Sequence, residues 1–321
     1  MRNPFLALLL ALSPTLSIAQ IPATPSGLTT VRSKADSTVT ISFKENEICA
    51  GEKGYSGYVH LPRSSLEDVG GYDINTFFLY LEARHNPATA PLVIYLAGGP
   101  GESTSYAAFD GELGPCYANV AGNDTIKSKR SYNEYANVLY IDQPVQAGFS
   151  YDRLVNATVG VGGLVITPLK EGEPLPKVIK TRGVGFFPSQ EFKHTAHTTG
   201  QAAQILWHFA ENWLTSFPGY RTSSGKIGLW GNSYGGYWVP ETAFQFSKGL
   251  RALPTHHPLA HRKIVVDNIG FTNGCMDVMT QAAGWPDMAY NNTYDTHYAT
   301  KSQYEAALLN ITKPNGLNDL V

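Results

Sequence analysis

The sequence predicts an α/β fold with a largely parallel sheet. Three observations carry this. Continuous apolar runs bounded by Gly or Pro, over residues 91–97, 137–142, 226–231 and 263–270, suit strands buried on both faces. Between the second and third runs, residues 195–217 have a helical period, with Ile205, Leu206, Phe209, Trp213 and Leu214 at three- and four-residue spacing. Strand, helix and strand then follow one another in series, which is the pattern of an α/β layer architecture.

From the N-terminus, Arg2, an apolar stretch over 5–12 and the small-x-small site Ser17-Ile18-Ala19 read as a signal peptide over residues 1–19. Residues 20–44, rich in Thr, Ser and Pro, are expected to be a loose lead-in. Residues 55–61 and 77–82 are strand-like, and Pro218 and Gly219 stop the long helix. Residues 153–185, rich in Gly, Val and Pro, have no clear period and are expected to form a surface insertion. These boundaries give an α/β domain over 45–274 and a further segment over 275–321.

The composition is 43% hydrophobic and 12% aromatic, as in a globular protein. With 24 basic and 26 acidic residues the charge is near balance, which argues against a nucleic-acid or membrane-surface partner. Beyond the N-terminus no apolar run is long enough to span a bilayer. The Asn-x-Thr sequons at Asn123, Asn156, Asn291 and Asn310 agree with export and glycosylation. Three cysteines, Cys49, Cys116 and Cys275, leave one without an internal partner in an oxidising compartment. No Cys/His spacing resembles a zinc site, and no metal or cofactor is implied.

The chemistry concentrates at Gly231-Asn232-Ser233-Tyr234-Gly235, a G-x-S-x-G elbow after the apolar strand 226–230 and before a helical stretch. A strand that turns sharply into a helix exposes the Ser hydroxyl, so Ser233 is the candidate nucleophile of an α/β-hydrolase fold. The glycine loop Gly98-Gly99-Pro100-Gly101 follows an earlier strand and can offer the Gly99 N–H to a developing oxyanion; the Tyr234 N–H is the second donor. Asp142 ends a strand but precedes Ser233, whereas in this fold the triad runs Ser, acid, His, so a structural role is expected for it. Downstream, Asp267, Asp277, Asp287, Asp295 and Asp319 and His256, His257, His261 and His297 are present, but none has the strand-then-loop setting of a triad partner. A complete Ser-acid-His set is therefore not expected within this chain.

These residues resemble the serine carboxypeptidases, in particular fungal secreted members of a carboxypeptidase S-like branch. The resemblance runs from about Cys49 to about Gln281. It rests on Tyr58-Val-His-Leu, on the strands leading to Gly98-Gly-Pro-Gly, on Asp142-Gln-Pro-Val-Gln-Ala-Gly-Phe-Ser-Tyr and on Gly231-Asn-Ser-Tyr-Gly-Gly-Tyr-Trp-Val-Pro. It implies an α/β-hydrolase fold that is incomplete here, a partial domain over 45–274 with later strands, cap and the acid/His region missing and 275–321 the start of the cap or insertion. The same resemblance implies secretion or vacuolar delivery, a peptide or protein substrate, and release of C-terminal residues through an acyl-enzyme. It also implies a site for the substrate carboxylate at Glu112, Asn232 and Gly98, and a Cys49–Cys116 disulfide that leaves Cys275 over. Two residues depart from the family pattern: Ala97 stands where the family has Asn, and Asn232 stands where it has the Glu that pairs with Glu112. A Glu pair donates to a carboxylate only when protonated, whereas an Asn amide donates at any pH. The alternatives are another α/β-hydrolase, a prolyl aminopeptidase or an esterase, and an inactive secreted carboxypeptidase-like protein without its acid and His.

Overall fold

The computed structural model describes residues 25–110, 113–163 and 165–320. The expected signal peptide lies outside them. In chain order the strands are β1 (Thr29–Arg32), β2 (Thr40–Asn46), β3 (Gly54–Leu61), β4 (Ile74–Leu81), β5 (Leu92–Leu96), β6 (Cys116–Ala118), β7 (Thr125–Lys127), β8 (Asn137–Ile141), β9 (Leu154–Gly160), β10 (Ile166–Pro168) and β11 (Arg182–Pro188). Helix α1 (Thr199–Ser216), strand β12 (Lys226–Asn232), helix α2 (Gly235–Ala252) and strand β13 (Val265–Thr272) follow. Helices α3 (Val278–Gln281), α4 (Gly284–Tyr290), α5 (Lys301–Thr312) and α6 (Leu317–Leu320) complete the described chain.

The main sheet has eight strands in the order β1-β2-β3-β4-β8-β5-β12-β13. Its first half is an antiparallel meander that docks antiparallel on β8. Strands β8, β5, β12 and β13 run parallel. The sheet is buried on both faces at β4: Phe78 and Tyr80 enter the cluster under α1, while Leu79 and Leu81 enter a second cluster with Tyr95, Val138 and Tyr140. On the α1 face the ring of Phe78 lies 6.0 Å from that of Trp213 and 5.3 Å from that of Phe217. Under the other face the Cys49–Cys116 disulfide is formed, with Cα atoms 5.5 Å apart. A closed loop of this size constrains the unfolded chain by about 4 kcal/mol in the loop-entropy model.

Four expectations change. The lead-in expected over 20–44 is not loose in its described part, 25–44: it carries β1 and most of β2. Val39, Ile41 and Phe43 occupy alternate positions and are all buried in the main core, which is the period-2 signature of a strand. The run 263–270 is not buried on both faces. Strand β13 has a hydrogen-bonded neighbour, β12, on one side only, and Val265 and Ile269 are exposed. The insertion over 153–185 has its own three-stranded antiparallel sheet, β10-β9-β11. Most of its positions are half-buried on both faces, so no in/out alternation marks the sequence. The long helix starts later than the periodicity suggests, because the Thr198 side chain accepts from the Gln201 N–H and caps α1 there.

Candidate active site

Strand β12 ends in Asn232, and α2 begins at Gly235, with Ser233 and Tyr234 between them. Ser233 makes the turn with φ of +51°, a left-handed conformation that costs a non-glycine residue about 1–3 kcal/mol. The segment after β13 holds it there: the Ser233 N–H donates to Thr272 O (3.1 Å), and Ser233 O accepts from the N–H groups of Gly236 (3.0 Å) and Cys275 (2.8 Å). Position 236 must be glycine because a Cβ would lie 2.2 Å from Cys275 O. Tyr234 is braced by α1, with its hydroxyl 3.1 Å from Thr199 Oγ1.

The loop after β5 comes up against this elbow. A Cβ on Gly98 would sit 2.7 Å from Ser233 Cβ and 3.1 Å from the Tyr234 N. The Gly98 N–H donates to Asn232 Oδ1 at 3.0 Å. That bond fixes which end of the Asn232 amide faces which way: the oxygen is held by the loop and the NH2 is left as a donor. Among the described residues neither the Gly99 nor the Tyr234 amide donates a hydrogen bond.

Beside Ser233 lies a cleft of about 220 Å³ whose walls include Tyr95, Tyr132, Tyr140, Asn232 and Thr272. Glu112 lies outside the described residues. Asp142 is fully buried and accepts from the Ser105 N–H (2.8 Å), the Phe149 N–H (2.9 Å), the Ser105 hydroxyl (3.1 Å) and the Ser103 hydroxyl (3.2 Å). Burial pushes its carboxyl above the ordinary range, and these bonds pull only partly back. It ties the glycine loop to the loop after β8 and does not touch Ser233.

The other candidates are scattered. Asp267 pairs with Lys226 at 3.3 Å, Asp277 caps α3, Asp287 accepts from the Tyr304 hydroxyl at 2.7 Å, and Asp319 accepts from the Asn315 N–H at 2.8 Å. His257 lies 4.0 Å from Glu211, and His297 Nδ1 bonds Tyr290 O. His256, His261 and Asp295 are exposed. Among the described residues, none of these side chains hydrogen-bonds the Ser233 hydroxyl. Of the sequon asparagines, Asn123, Asn291 and Asn310 are exposed and Asn156 is half-buried in β9.

The aromatic wall of the cleft is not apparent from motifs. Tyr95 and Tyr140 are in register on β5 and β8, and Tyr95 is in register with Trp230 on β12. Period 2 along those strands places all three rings, and Asn232 two residues further, on one face of the sheet. Among the described residues no cluster of His, Cys, Asp or Glu could hold a metal ion, and no helix is long and apolar enough to cross a membrane.

A mixed sheet with a parallel half and a strand–Ser–helix elbow defines an α/β-hydrolase. The solved structure of a prohormone-processing carboxypeptidase from Saccharomyces cerevisiae shares the fold, with a TM-score of 0.55 at 20% identity over 82% of this chain and 49% of that one. The family model for serine carboxypeptidase matches residues 45–160 and 180–313, and the chain belongs to that family. It is 39% identical over 98% of its length to carboxypeptidase S1 homolog B of Arthroderma otae, covering 49% of that protein. It is 34% identical over 97% of its length to a carboxypeptidase Y homolog of Arthroderma benhamiae, covering 50% of it. The chain thus spans about half the length of the curated relatives it matches.

Proposed function

We propose that the protein is a secreted serine-type carboxypeptidase that removes C-terminal residues from peptides, with Ser233 as nucleophile. The observation that carries this is the contact between the glycine loop and the elbow. It sets Gly98 against Ser233 and leaves the Gly99 and Tyr234 amides without an acceptor among the described residues. In this reading Ser233 Oγ attacks the last peptide carbonyl, and the two amides stabilise the oxyanion. The carbonyl re-forms as the C-terminal amino acid leaves, and water releases the acyl group from Ser233. Serine needs a base on its own oxygen to attack. No described residue stands in that place, so no proton path is drawn through this chain. The Asn232 NH2, oriented by the Gly98 N–H, is the donor for the substrate's terminal carboxylate. A buried disulfide supports an exported protein.

The test is hydrolysis of a blocked dipeptide with a free C-terminal carboxylate beside the same peptide as its C-terminal amide. A carboxypeptidase cleaves the first, spares the second, and loses its activity in Ser233→Ala. Equal cleavage of acid and amide, or of a simple ester alone, would sink the reading.

A further inference from the structure

One polar group that lines the same cleft as Ser233 takes no part in this chemistry. The Tyr140 side chain lines the cleft and is only 1% exposed, yet among the described residues its hydroxyl has no hydrogen-bond partner. A buried hydroxyl without a partner costs about 1–3 kcal/mol, so native structures rarely keep one without a use. Tyr140 sits at the centre of the sheet, in register with Leu79 on one side and Tyr95 on the other, and cannot swing out to solvent. Burial holds its phenol protonated far above the usual range, so the hydroxyl remains a donor as well as an acceptor at any working pH.

The cleft has the dimensions of one residue. At about 220 Å³ it falls below the roughly 300 Å³ at which sites for drug-sized ligands begin. Ser233 stands on it and Asn232 beside Ser233, with the tyrosine rings on the same sheet face. A peptide whose last carbonyl is at Ser233 and whose terminal carboxylate is at the Asn232 NH2 directs its final side chain along those rings. The ring faces suit an apolar body; the Tyr140 hydroxyl suits a polar tip.

We propose that Tyr140 is a specificity-determining residue: its hydroxyl hydrogen-bonds the side-chain tip of the leaving C-terminal residue, so the cleft favours a polar residue over its apolar isostere. This rests on the carboxypeptidase reading.

Binding to the full chain carrying Ser233→Ala, which removes turnover, tests it by titration calorimetry with blocked dipeptides ending in the matched pairs Thr/Val, Asn/Leu and Gln/Met. The expected result is a polar member bound about fivefold to tenfold tighter in at least one pair, a ratio of the size one neutral hydrogen bond gives. Adding Tyr140→Phe brings that ratio to one. No polar preference in any pair, or a preference that survives Tyr140→Phe, overturns the inference and leaves the carboxypeptidase reading standing. Blocked dipeptides that fail to bind, or amides that bind as well as free acids, overturn that reading and this inference with it. Thermal melting gives a second check. A hydroxyl without an internal partner predicts that Tyr140→Phe melts no lower than its parent, and a clear fall overturns the proposal.

Discussion

Two serines of this molecule have opposite surroundings. Ser189, just after β11, has the company expected of a nucleophile: its hydroxyl donates to Asp152 Oδ2 at 2.5 Å, and His194 Nδ1 is 3.0 Å from the same oxygen. Among the described residues Ser233 has neither acid nor imidazole in hydrogen-bond contact, yet it has the turn, the positive φ and two amides without an acceptor there. The difference lies in who bonds to whom. Ser189 and His194 both converge on one carboxylate, so the imidazole does not stand between hydroxyl and acid and cannot take the hydroxyl proton. The Ser189 hydroxyl and N–H are consumed in holding Asp152. The Tyr72 ring stacks on His194 at 5.4 Å and closes the group. It is a clasp between the segment after β8 and the lead into α1. Residue types alone would have ranked it first; backbone geometry reverses the order.

The comparison breaks most sharply under substitution of each serine. In a protein that supplies Ser233 with its base, Ser233→Ala should lower kcat/KM on a blocked dipeptide by about 10⁴-fold or more, whereas Ser189→Ala should leave it within about threefold. Loss of activity in Ser189→Ala with its folding intact would make the clasp a catalytic group. The clasp should instead show itself in stability. Asp152→Ala leaves the Ser189 donors and His194 without their acceptor and should cost about 2–4 kcal/mol, read from denaturant midpoints. The pH dependence has a definite sign. Burial pushes Asp152 up, but the bonds from Ser189, the Arg153 N–H and His194 outweigh it and hold its carboxyl below the ordinary range. Its contribution is therefore complete above the unfolded value of about 3.9 and lost as pH falls through the folded one. Asp142, raised by burial, has the opposite sign: relative to Asp142→Asn, the protein should gain stability as pH falls from neutral through the raised value.

Much of the strand-and-turn frame around Ser233 was legible in the sequence. The apolar runs before Gly98 and Gly231 became β5 and β12, adjacent and parallel, because both are buried on two faces and carry turn residues at their ends. The clasp was not legible. Asp152, Ser189 and His194 are brought together by β9 and β11, whose half-buried faces leave no alternation to read. The cleft wall lay between these cases. Tyr95 and Tyr140 sit inside runs recognisable as strands, but only the β5–β8 register sets them side by side. Strands β1 and β2 were missed because small and polar residues around Val39, Ile41 and Phe43 hid a real period of two.

A smaller effect sharpens the contrast at Asn232. Its amide NH2 donates regardless of pH, and its oxygen is occupied by Gly98. Asn232→Glu keeps an acceptor for Gly98 but supplies the outward donor only when protonated. KM for free-acid dipeptides should then rise about tenfold between pH 5 and pH 8 in the variant, beyond any change in the parent over the same range. Parallel KM profiles would remove Asn232 from carboxylate binding.

The smallest effect is expected at His297, which lies downstream of β13 and so has the chain position of a triad histidine. Its ring packs on Tyr290, with centroids 5.0 Å apart, and its Nδ1 bonds the Tyr290 carbonyl, which ties it to the end of α4. A base acts from within hydrogen-bond reach of the proton it removes, and apo geometry is looser than the reacting complex but rarely rebuilds a local turn to get there. An imidazole whose Nδ1 is engaged by a backbone seven residues away serves that turn first. His297→Ala should therefore leave kcat/KM on a blocked dipeptide within about twofold, against the loss of about 10⁴-fold expected for Ser233→Ala. If His297→Ala were instead as damaging as Ser233→Ala, with the fold intact by circular dichroism, the α4–α5 segment would have to close on the elbow. Ser233 would then have its base within this chain.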